Sequence, residues 1–106
     1  PSRIQLTCMN QYMVEIALPE HFTQAFVRLI PEQRAQVNRL FEEGSIRAYS
    51  LSLDRAQLWA VVLAPSVADV EELLDTFPIM PYCAFDVHEL LFHDMASQEL
   101  PRISLN

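Results

Sequence analysis

Lysine is missing from this chain of 106 residues, so all seven basic residues are arginine, set against fourteen Asp and Glu for a formal charge of −7. There is no basic stripe to grip a phosphate backbone, and an acidic chain is repelled by nucleic acid and by anionic membrane surfaces alike. No apolar run approaches the ~20 residues that a membrane-spanning helix needs. The first nine residues, PSRIQLTCM, lack the apolar block and small-residue cleavage site of a secretory signal, and a cytoplasmic location is expected. The two cysteines, Cys8 and Cys83, show no CxxC or Cys/His spacing, so no zinc site and no disulfide framework is indicated, and both read as buried or half-buried thiols. There is a single glycine against seven prolines, and 51% of residues are hydrophobic. That composition belongs to one globular domain rather than a disordered chain.

What is present alternates between two periods. Ile4, Leu6 and Cys8 alternate within residues 1–11, which read as an arm or an extra edge strand. Tyr12 to Leu18 reads as a strand closed by Pro19, apolar on both faces except for Glu15. From Glu20 the step changes to three and four: Phe22, Phe26, Leu29 and Ile30, then Val37, Leu40 and Phe41, with Pro31 ending the first turn or starting the next helix. Gly44 suits a left-handed stop. Ile46 to Leu53 and Leu58 to Ala64 form a hairpin around Asp54-Arg55-Ala56. Ser66 caps a second helix with Asp69 in the place of the usual glutamate. Its stripe is Val70, Leu73, Leu74 and Phe77, and Pro78 stops it. Ala84 to His93 is the fourth strand.

The order β-α-β-β-α-β predicts an α+β, ferredoxin-like domain over residues 12–94, followed by a tail at 95–106. Four antiparallel strands would carry two helices on one face. The other face should be polar in a monomer, yet strands one, three and four are apolar on both sides. A second copy of the chain is the expected cover, giving a homodimeric α+β barrel.

Within that frame the stretch Leu73-Leu74-Asp75-Thr76-Phe77-Pro78-Ile79-Met80-Pro81-Tyr82, followed by a strand that ends in His93, resembles the muconolactone isomerase family. The family shows a similar helix end, a Pro-x-x-Pro-Tyr turn, and a last strand with an acid and a late histidine, here Asp86 and His93. Glu15 stands where the family has an acid, and Gly44-Ser45-Ile46-Arg47 with Arg55 matches its second strand and hairpin. The likeness runs from about Tyr12 to His93. It implies sheet-to-sheet assembly and proton movement on a small lactone without metal or cofactor. Four departures are plain. A histidine late in strand one is Ala17 here, and a strand-two cluster of His and then Trp-Arg becomes Ala48, Ser50 and Leu51. The chain thereby lacks a proton carrier and an anion clamp, so an altered or absent activity is expected.

Proton transfer needs a base near the acidic carbon and a donor near the growing enolate. Glu15, a lone carboxylate in an apolar strand, is the base candidate, its pKa raised if it is desolvated. The alternative pairs it with Arg47 or Arg3, or sets it at the rim. Asp86 and His88 share one face of strand four and reach Glu15 if strands one and four are neighbours. The alternative there is a polar cluster at a dimer interface. Tyr82 either donates into a pocket mouth or packs under the turn. Arg47 is an anion hook or a surface ion pair, and Ser50 faces the opposite side of strand two. Trp59 and Tyr49 read as core or interface aromatics. Cys83 lacks a neighbouring base and is not a nucleophile. Two functions follow: a cofactor-free isomerase acting on a small organic acid or lactone, and a non-enzymatic homodimeric module that binds a ligand or serves assembly.

Overall fold

A computed structural model describes residues 9–91, so Arg3, Cys8, His93 and the tail at 95–106 lie outside the described residues. Strand β1 spans Asn10–Ala17, β2 Ile46–Leu51, β3 Gln57–Ala64 and β4 Ala84–Leu90. They form one antiparallel sheet in the order β2-β3-β1-β4. Helices α1 (Gln24–Arg28), α2 (Ile30–Glu43) and α3 (Val67–Leu74) lie on one face, and a single 3-10 turn (Met80–Tyr82) leads into β4.

The first helical stretch divides in two, giving three helices instead of two. Thr23 caps α1 by accepting from the Phe26 amide at 3.2 Å. The chain then pauses at Leu29, and Pro31 sits in the first turn of α2, where its missing N–H costs nothing. Gly44 ends α2 with φ +84°. Ser45 N–H donates to Leu40 C=O and Gly44 N–H to Phe41 C=O, both at 3.0 Å, the paired bonds of a Schellman stop. Ser66 caps α3 through the Asp69 amide, and its hydroxyl donates to the Asp69 carboxylate at 2.7 Å.

The alternation of β1 is strict. Tyr12, Val14 and Ile16 are buried against the helices, while Gln11, Met13 and Glu15 point to the other face. Leu58, Ala60, Val62 and Ala64 of β3 join them, with Phe26, Val37, Leu40, Val70, Leu74 and Phe77 above. Burial of these apolar groups on one side fixes the register, because a slip of one residue would turn Glu15 into the core. A bulge lies between Ile46 and Ala48, leaving Arg47 exposed as the extra residue. In the β2–β3 hairpin Arg55 takes φ 62°, and Asp54 accepts from the Ser52 hydroxyl at 2.6 Å and the Ala56 amide at 3.0 Å. Those bonds hold the Asp54 carboxyl below the usual carboxylate range.

Candidate functional site

Two places gather polar side chains, and the sheet stands between them. On the face away from the helices, the register sets Ser50 opposite Trp59, Trp59 opposite Glu15, and Glu15 opposite Asp86. One row across four strands thus holds four of the residues singled out from the sequence. His88, opposite Met13, lies diagonally from Glu15, and its Nε2 is 3.4 Å from Glu15 Oε1. Strands one and four are neighbours as the ferredoxin-like order requires. Among the described residues the partner of Glu15 is His88, and no contact with Arg47 is seen. In a single chain the side chains of Glu15 and His88 are 43% and 55% exposed. Trp59 is 36% exposed in the middle of this face.

The helix side holds a cavity of about 340 Å³ between α1, α2 and the sheet. Its walls are mostly apolar: Phe22, Phe26, Ile30, Val37, Phe41, Leu51, Leu58 and Ile79 line it with Leu18. The polar groups are few. Gln33 is buried in its floor, Tyr49 is partly buried, and Arg34 and Asn38 are exposed at its mouth. No Asp, Glu, His or Cys is among the lining residues. The position of Leu51 is the one that lacks the strand-two arginine of the resembled family, and Arg34 brings a guanidinium to the same cavity from α2.

Gln33 ties three elements together. Its Oε1 accepts the backbone N–H of Ile79 at 3.4 Å, and its Nε2 donates to the Tyr49 hydroxyl at 3.2 Å. Burial pushes the Tyr49 phenol above its ordinary pKa, partly offset by the Gln33 bond, so it stays protonated across the neutral range. Tyr49 also meets Phe77 edge-on at 6.4 Å between ring centres.

The remaining sequence candidates lie apart from the cavity lining. Tyr82 is exposed, with its ring edge-on to Phe26 at 5.7 Å, which fits the packing reading. Arg47 stands exposed on the bulge. Cys83 is half-buried, donates its S–H to Ile79 C=O at 3.3 Å, and burial pushes its thiol up to about 11. Sequence reasoning placed Tyr49 in a core or interface and gave Gln33 no role. The available signal was a glutamine on the apolar stripe of α2, one helical turn before Val37.

The crystal structure of muconolactone isomerase superposes on this chain with a TM-score of 0.66 at 24% sequence identity, covering 81% of this chain and 93% of the other. The chain has the fold of muconolactone isomerase. No protein-family model matches the sequence, and no curated protein does. The likeness to muconolactone isomerase therefore rests on architecture, and architecture of this kind hosts unrelated functions. Among the described residues no group of three or more metal-ligating side chains is gathered, and no helix is long and apolar enough to cross a membrane.

Proposed function

We propose that this chain is a muconolactone isomerase-like small-molecule protein that binds its ligand in the cavity between sheet and helices. The observation that carries this reading is the cavity's make-up: an apolar chamber of about 340 Å³ with a buried amide and a phenol converging on it. Small-molecule sites have this form, a greasy body with a few fixed polar atoms. The absence of any carboxylate, imidazole or thiol from the lining supports binding over proton abstraction at that place. The test is a titration of the ¹⁵N-labelled protein with a library of small cyclic ketones, lactones and acids. Shifts gathered at Gln33, Tyr49, Leu51 and Ile79 are expected, and their absence for every compound would overturn the reading.

A second reading draws on the Glu15–His88 contact with Asp86 in the same row. A second copy of the chain would cover this face and desolvate the row, and a lactone held there would lose a proton to Glu15. The electron pair would move to the carbonyl oxygen as an enolate, and His88 or Asp86 would return a proton at another carbon. No metal or cofactor enters that scheme. Turnover that survives intact in Glu15→Gln would remove it.

A further inference from the structure

Deepening the cavity reading, we infer that Tyr49 serves as a donor fixed in one sense, so that the cavity selects a small apolar molecule presenting a carbonyl-type acceptor oxygen. The argument starts at Ile79. A backbone N–H bonds only to an acceptor, so the Gln33 atom 3.4 Å from it is the carbonyl oxygen. That settles the orientation of the amide, and the NH₂ group is the one turned to Tyr49 at 3.2 Å. The phenol oxygen therefore accepts from Gln33, and its own proton points elsewhere. Among the described residues no acceptor receives that proton, while the ring lines the cavity.

Gln33 is 5% exposed, so the amide that holds the phenol oxygen is buried, while Tyr49 itself is partly buried and lines the cavity. A partly buried donor with no partner in the protein is completed by a ligand oxygen, which gains the free energy of one hydrogen bond. A ligand with only C–H groups at this point leaves the proton unsatisfied. The other polar groups, Arg34 and Asn38, are exposed at the mouth, where water competes for them, so they discriminate less. Arg34 is also the one charged side chain of the lining, and its sign favours an electron-rich oxygen. Phe22, Phe26 and Phe41 supply flat apolar contact for a ring.

The experiment compares acetophenone with α-methylstyrene, which has the same planar shape with C=CH₂ in place of C=O. Affinities of both are measured by NMR titration for the wild type and for Tyr49→Phe. The ratio of affinities should shift toward α-methylstyrene by about 2–10-fold in the variant, the effect of one neutral hydrogen bond. In the wild type, the infrared carbonyl stretch of bound ¹³C-labelled acetophenone should lie below its position in alkane. That second measurement needs no variant. If both compounds bind, with an unshifted ratio and an alkane-like stretch, the donor assignment is overturned and the cavity survives. If neither compound perturbs the cavity residues, the cavity reading falls and takes the donor assignment with it.

Discussion

At the scale of the residue, chemistry is decided by what each polar atom has left to offer. Glu15 and His88 were legible in the sequence, because a period of two puts alternate residues on one face and the β-α-β-β-α-β order puts strands one and four together. Gln33 and Tyr49 were not. They meet only because α2 packs over β2, and neither side chain breaks its local pattern enough to announce a site. Cys83 shows the same dependence on surroundings. With its thiol raised to about 11 by burial, only about one molecule in a thousand carries the thiolate at pH 8. Iodoacetamide at that pH should modify Cys83 far more slowly than a free cysteine peptide, as read by peptide mass after digestion. Because folding raises this pKa, the folded state loses stability as pH climbs from the ordinary thiol value through about 11. Tyr49, shifted in the same direction, adds to that loss. The melting temperature should accordingly fall between pH 9 and pH 11, and less steeply in Tyr49→Phe.

At the scale of the element, caps and stops explain where the sequence was sufficient. Ser66, Pro31 and Gly44 each mark a boundary by a local backbone requirement, and all three act within a turn of where they were read. Gly44→Ala meets nothing within 4 Å, so its cost is the left-handed backbone alone, about 1–2 kcal/mol. The urea midpoint should drop while the slope stays constant. Ser66→Ala removes the cap on the Asp69 amide and should cost about 1 kcal/mol by the same measurement. The division of the first helix was half legible. Pro31 announced a boundary, but the short, separately capped α1 depends on Thr23 and on the contact of Phe22 with Phe26 at 4.6 Å. The bulge at Arg47 carried no sequence signal. It comes from closing β2 onto β3, and Ser50 then shares a face with Trp59.

At the scale of the molecule, a single chain leaves Trp59, Glu15 and His88 partly open on a face that also carries Met13, Val61 and Leu63. On the reading that a second copy covers this face, the wild type should sediment as a dimer. Trp59→Glu would add a third carboxylate to the row of Glu15 and Asp86 and should sediment as a monomer with an unchanged circular dichroism spectrum. A monomeric wild type at all concentrations would end that reading and leave the helix-side cavity untouched.

The alternation of β1 has a consequence for descent. Val14 and Ile16 belong to the helix side and Glu15 to the other, although they are adjacent links of one strand. A substitution on the chamber side leaves the row of Glu15 and Asp86 alone, and the converse holds as well. Each side of the sheet can thus vary without disturbing the other, and a lineage with this architecture is free to refit one face while the opposite face stands still.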